Sequence, residues 1–171
     1  VVEVVTWSLE LTEPSALRPA AEPADPPLLL AARQPAPELS RFFYTLVGDG
    51  WGWTDRLTWT PQRWAHWVDR PEHHLVTAWH EGVPAGYYEL EEQPDGGQPG
   101  SVELAYFGLA SRAIGRGWGG WLLTRALTHA FDLPGTRRVW VHTCTLDHPA
   151  ALANYEARGL VRVAQTRHER T

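Results

Sequence analysis

Apolar and polar positions alternate loosely along residues 2–11, and the stretch is rich in valine, which predicts a β-strand over Val2–Leu11. Glu13 to Pro27 is a loop dense in proline, alanine and acidic residues. Leu28–Arg33 is a second short apolar run, ending at Pro35 and Pro37. From Glu38 the period lengthens, and Leu39, Phe42, Phe43 and Leu46 recur at helical spacing until Gly48 stops them. Thr60 stands where an N-cap belongs, with Pro61 at the first helical position; Trp64, Trp67 and Val68 form the face that this second helix would bury. Strand patterns return at Leu75–His80 and Ala85–Glu91 across the tight turn Glu81-Gly82. The turn-rich stretch Gln93–Gly100 predicts that the next strand, Ser101–Leu109, pairs back as a hairpin.

Glycines dominate from Gly115 to Gly120, after which Trp121, Leu122, Arg125, Ala126 and His129 keep helical spacing until Pro134-Gly135. Arg138–Thr145 reads as a strand, Pro149–Arg158 as a short helix closed by Gly159, and Leu160–Thr166 as a final strand. Strands at both ends with helices between them, without repeats or a long linker, predict one α/β domain over residues 1–171 with a mixed sheet. A lone last strand would leave an apolar edge open, so its expected neighbour is Val2–Leu11 or a partner chain in a homodimer.

Composition narrows the function classes. The net charge is −5 and all fifteen basic residues are arginine, so the basic excess of a nucleic-acid binder is missing. No apolar run reaches the ~18–20 residues that a membrane span needs. The single cysteine, Cys144, cannot form an internal disulfide, which fits a reducing cytoplasm. The eight histidines lack zinc-site spacing, and His73 and His74, adjacent on a strand, would point to opposite faces, so no metal is expected. Lysine and methionine are absent, and isoleucine and asparagine occur once each; their codons are AT-rich, which points to a bacterial genome of high GC content.

The stretch Ile-Gly-Arg-Gly-Trp-Gly-Gly from Ile114 follows a strand and opens a helix. Glycines let backbone N–H groups approach a ligand, and a helix N-terminus adds unpaired donors and partial positive charge, so the pair makes an anion cradle. Gly115, Gly117 and Gly120 fit Gly-x-Gly-x-x-Gly, but a dinucleotide oxidoreductase would carry that unit after its first strand, and this one lies late in the chain. Without lysine the Walker pattern fails.

Residues Leu109–Leu123, LASRAIGRGWGGWLL, resemble the acetyl-CoA loop of the GNAT superfamily of N-acyltransferases. Residues His148–Leu160, HPAALANYEARGL, resemble that family's second cofactor segment, in the family's order and at about its separation. The resemblance implies a mixed, mostly antiparallel sheet with splayed central strands flanked by helices, and acetyl-CoA as cosubstrate. It gives the Leu109 backbone to the pantetheine or the thioester carbonyl. Ile114, Gly115, Arg116, Gly117, Trp118, Gly119 and Gly120 would hold the pyrophosphate. Asn154 falls in the second cofactor segment, and Tyr155 would protonate the departing thiolate. Ile114 stands where the family usually has Gln or Arg, so Arg112, Arg116 or the backbone amides alone supply the charge; His148 replaces a common asparagine.

The resemblance makes Glu103 the base. Six residues before Leu109 on one strand, it would share that residue's face by the period of two. Glu89 and Glu91 are alternative acids. His142 and Cys144, two apart on a strand, form either an imidazole–thiolate pair or buried packing. Among the tryptophans between and after the first two helices, most read as core, whereas Trp51 and Trp53, in a glycine-rich loop beside Asp49 and Asp55, are placed at the acceptor. The function implied is acetyl transfer to a primary amine of a small molecule or peptide. The alternatives are a longer acyl chain, a hydroxyl acceptor, or a CoA-binding regulatory module without turnover.

Overall fold

A computed structural model describes residues 1–93 and 98–170. In chain order the strands are β1 (Val2–Leu11), β2 (Leu28–Ala31), β3 (His73–His80), β4 (Val83–Glu92), β5 (Ser101–Leu109), β6 (Arg138–Cys144) and β7 (Val161–Arg170). The helices are α1 (Pro37–Gly48), α2 (Pro61–Val68), α3 (Trp118–Asp132) and α4 (Ala151–Ala157), with short 3₁₀ turns at Pro14–Ala16 and Ser111–Ala113. The strands form one sheet in the order β2-β3-β4-β5-β6-β1-β7. Every pairing is antiparallel except β5 with β6. The α/β fold class expected from the sequence is therefore the one observed.

Local chemistry accounts for several boundaries. The Thr60 hydroxyl accepts from the Arg63 N–H at 3.2 Å, and Pro61 opens α2, which satisfies one of the helix's unpaired donors. The β4–β5 hairpin forms as expected, although residues 94–97 of its turn-rich connection lie outside the described residues. The last helix is shorter than Pro149–Arg158 because His148 Nδ1 and the His148 carbonyl take the Ala150 and Ala151 N–H groups. The last strand reaches Arg170 rather than Thr166, because β1 offers it a long antiparallel ladder. That strand's expected neighbour was Val2–Leu11 or a partner chain. It is Val2–Leu11, which lies between β6 and β7 and pairs with both.

Two features of the sheet position the site. The parallel pairing of β5 with β6 extends only over Ser101↔Arg138, Val102↔Val139 and Glu103↔Trp140; beyond it the strands diverge and leave a wedge. In β5 the register slips against β4: Glu89 lies opposite Tyr106 but Leu90 opposite Leu104, so Ala105 is an extra, bulged residue. The bulge reverses the alternation. Leu104, Phe107 and Leu109 pack with the core under α3, whereas Tyr106 packs with Phe43, Val47, Leu75 and Tyr87 under α1. Glu103, adjacent to Leu104, turns to the α1 and α2 side, where it meets His142. This corrects the sequence expectation that Glu103 and Leu109 share a face: an uninterrupted strand would put them together, and one extra residue separates them.

Candidate active site

The wedge between β5 and β6 opens into a cleft of about 570 Å³ whose walls come from both sides of the sheet. At its α3 end, Gly115 and Gly117 have φ of +87° and +78°, and an added Cβ at either would find nothing within 4 Å. Side chains there would cost backbone strain and fill the space that the loop leaves open. Gly117 caps α3, and the first N–H groups of a helix have no carbonyl within it. Among the described residues, no carbonyl outside α3 accepts from the N–H groups of Gly115 to Gly120. The loop is a concave set of free donors at a positive helix end, which suits a pyrophosphate.

Of the residues expected at the cofactor, Leu109, Ile114, Gly115, Gly117, Trp118, Gly119, Gly120 and Asn154 all line this cleft. Asn154 donates to the Gly119 carbonyl at 3.2 Å and so ties α4 to the first turn of α3. Arg116 is not on the cleft wall; its guanidinium lies 4.1 Å over the Trp118 ring. The free edge of β5 runs along the wedge and offers main-chain groups to an extended ligand.

Tyr155 reaches the wedge from α4, beside Phe107 at 6.2 Å between ring centroids. Burial holds its phenol far above the ordinary tyrosine range, so it stays protonated and can only give a proton.

The opposite wall is aromatic. Trp51 and Trp53 both line the cleft. Trp53 donates to Asp147 Oδ1 at 3.2 Å and stacks edgewise on Tyr106 at 5.1 Å; Trp51 packs on His148 at 4.8 Å. Asp147 also accepts from the Thr143 hydroxyl at 2.6 Å and the Cys144 N–H at 3.0 Å, which pins the loop after β6. Asp55, also on the cleft wall, accepts from Tyr44 at 2.6 Å and from Tyr106 at 3.3 Å.

Behind Tyr106 lies Arg56, only 7% exposed, with Trp67, Tyr106 and Trp59 rings 4.0, 4.1 and 4.4 Å from its guanidinium carbon. Trp59 and Trp67, expected as plain core packing, instead form faces of this box. The ring faces offset part of the cost of burying the charge.

The candidate acids separate clearly. Glu89 is fully buried and accepts from Ser40 at 2.6 Å, Trp67 at 2.5 Å and His73 at 2.8 Å; Glu91 is paired with Arg70 at 2.9 Å. Neither lines the cleft. Glu103 does not line it either. One of its oxygens accepts from Gln93 at 2.9 Å, the other lies 3.4 Å from His142 Nδ1, and it is His142 that forms part of the cleft wall. Sequence reasoning missed this neighbour and set His142 beside Cys144 instead. Two residues apart on one strand was a visible relation; adjacency across the β5–β6 register was not. His73 and His74 do face opposite ways, toward Glu89 and Glu92 respectively. Among the described residues no group of three His, Cys, Asp or Glu side chains could hold a metal ion, and no helix is long and apolar enough to cross a membrane.

The family model of the acetyltransferase (GNAT) family matches residues 35–160. Among curated proteins no match is found. Among solved structures, a GCN5-related N-acetyltransferase from Kribbella flavida is 22% identical, with a TM-score of 0.63, over 94% of this chain and 55% of its own. One from Sphaerobacter thermophilus is 20% identical, also at 0.63, over 95% of this chain and 49% of its own. An aminoglycoside acetyltransferase from an uncultured soil metagenomic sample, solved with sisomicin, is 14% identical at 0.56, over 76% of this chain and 85% of its own. The chain thus spans about half the length of the first two, and at these identities the likeness is one of fold.

Proposed function

The chain belongs to the GNAT acetyltransferase family, and we propose that it moves an acetyl group from acetyl-CoA to a primary amine of a small molecule or peptide. The observation that supports this best is the continuity of the cleft: the free glycine-loop donors, the open edge of β5, Tyr155 and the aromatic wall line one space. Acetyl-CoA would supply an activated thioester and a thiol leaving group. Gly115, Gly117, Gly119 and their neighbours would hold its pyrophosphate by backbone N–H groups, and the Leu109 segment would order the pantetheine arm as an added strand. Tyr155 would give its proton to the departing thiolate. Trp51, Trp53 and Asp55 would hold the amine end, ring faces and a carboxylate both favouring a cation. Glu103 stands behind that wall and reaches the cleft through His142.

Thiol release from acetyl-CoA, followed over a panel of alkylamines, aminosugars and peptide N-termini, tests the reading. Amine-dependent release with a matching acetylated product supports it. CoA binding without release from any amine would leave the regulatory module; release with longer acyl-CoA or with alcohols only would shift the substrate class.

A further inference from the structure

Glu103 sits at the last paired rung before β5 and β6 diverge, opposite Trp140, and His142 lies two residues further along β6, where the wedge opens. A chain of polar contacts leads to the cleft from behind. Trp140 donates to the Gln93 side-chain oxygen at 2.8 Å, and Gln93 donates to Glu103 at 2.9 Å. The second Glu103 oxygen faces His142 Nδ1 at 3.4 Å. Glu103 is 13% exposed and His142 is 55% exposed, so the carboxylate is withdrawn and the imidazole presented. A carboxylate beside Nδ1 favours the proton on that nitrogen and leaves Nε2 as the lone-pair nitrogen of a side chain on the cleft wall.

We propose that His142 is the base that takes the acceptor amine's proton and that Glu103 is its positioning residue; this deepens the acetyl-transfer reading above and rests on it. The N–C bond forms as the C–S bond breaks, the amine proton passes to Nε2, and the sulfur leaves with the electron pair and takes the Tyr155 proton. His142 then returns its proton to solvent, and Tyr155 is reprotonated from it. Other groups share the imidazole's surroundings. Trp140 and Cys144 flank it on β6, Ser8 stands opposite on β1, Asp55 and Asp147 approach from the loops, and His168 and Arg170 of β7 line the same cleft. The Glu103 contact raises the imidazole's pKa above 6.5; burial opposes this, and Asp147 and Asp55 add to the rise. The free base therefore grows as pH climbs through that raised value.

The test uses the full chain labelled with ¹³C at histidine Cε1, His142→Gln identifying the His142 signal. In the wild type that signal should titrate above 6.5, and in Glu103→Gln at lower pH. With acetyl-CoA and the best amine of the panel, kcat/KM should rise with pH along a limb at the same midpoint. His142→Gln should lower kcat/KM by about 10²–10⁴-fold and abolish the limb. Glu103→Gln should lose less and move the limb to lower pH together with the titration, a shift that mere structural support would not produce. If Glu103→Gln fails to fold, Glu103→Asp, with a shorter reach, should move both in the same direction. Turnover with the limb intact in His142→Gln overturns the base assignment alone. Absence of turnover with every amine overturns the transfer reading and this inference with it.

Discussion

The face of the sheet under α3 and α4 buries leucine, valine, alanine and two tryptophans, with Leu9, Leu122, Leu123 and Leu127 wholly enclosed. The face under α1 and α2 has a smaller apolar cluster, Phe43, Val47, Leu75 and Tyr87, and beside it a buried carboxylate and a buried guanidinium. Both faces line the cleft, but they give it different things. The apolar face sets the position of α3 and hence of the glycine loop, whose ligand groups are main-chain N–H donors that no titration alters. The polar face holds ionised side chains in fixed places, Glu89 by three donors and Arg56 by three rings, and presents Asp55, Tyr106 and His142 to the cleft. Main-chain donors on one side and ionised side chains on the other is the division that these two packings permit, with Tyr155 as the protonated group that the apolar side adds.

The two faces should respond differently to pH when each is disturbed. Glu89→Gln puts an amide where three donors converge, and weakening buried hydrogen bonds to a charged group costs about 1.5–3 kcal/mol. Leu122→Ala on the other face costs about 2–5 kcal/mol through lost burial and a cavity. Burial alone would raise the Glu89 pKa, but the His73 and Ser40 contacts outweigh it and hold it below 4.5. A depressed carboxylate contributes stability that is present above its unfolded value and lost as pH falls through the folded one. Urea denaturation should therefore show the Glu89→Gln deficit narrowing below about pH 4.5, while the Leu122→Ala deficit keeps its size. Parallel behaviour of the two variants would mean that the faces do not differ in this way.

What the sequence could reveal divides along the same line. The glycine loop, Asn154 and Tyr155 were legible because they lie in contiguous segments whose spacing is local. The open last strand announced a missing neighbour, and Val2–Leu11 fills the place. The polar face was not legible, because its groups meet across registers. Ala105 bulges without a glycine or proline to mark it, so the true face of Glu103 was hidden. The partnership of Glu103 with His142 depends on how β5 pairs with β6, which no local period encodes. Nothing near Arg56 in the chain says that it is enclosed, since its box is assembled from α2, β5 and the loop before α2.

A smaller effect is expected at the backbone donors of the glycine loop. Gly117→Val requires a β-branched residue at φ +78°, a strain of about 1–2 kcal/mol, and points its side chain into the space left for the anion. Because an added Cβ there meets no atom within 4 Å, the fold should persist. Calorimetry should show CoA affinity falling at least about tenfold, which corresponds to ~1.4 kcal/mol. Unchanged affinity in the folded variant would remove the loop from the site.

The smallest expected effect concerns Tyr155, an ionisable side chain that the apolar face brings to the cleft. Its phenol is kept neutral by burial, the reverse of Glu89, which its partners keep charged. Tyr155→Phe removes a single oxygen and keeps the ring against Phe107, so stability should barely change. Catalysis should fall about tenfold, short of the ~10²–10⁴ typical of an essential acid or base, because a thiolate already leaves readily without a proton. The loss should be constant from roughly pH 6 to 9, since the wild-type phenol remains protonated throughout that range and solution pH cannot replace a positioned donor. A base variant behaves differently, its deficit shrinking as free amine becomes plentiful toward the amine's own pKa. A Tyr155→Phe deficit that likewise disappeared at high pH would assign the tyrosine to the amine rather than to the thiolate, and proton transfer would then no longer be divided between the two faces.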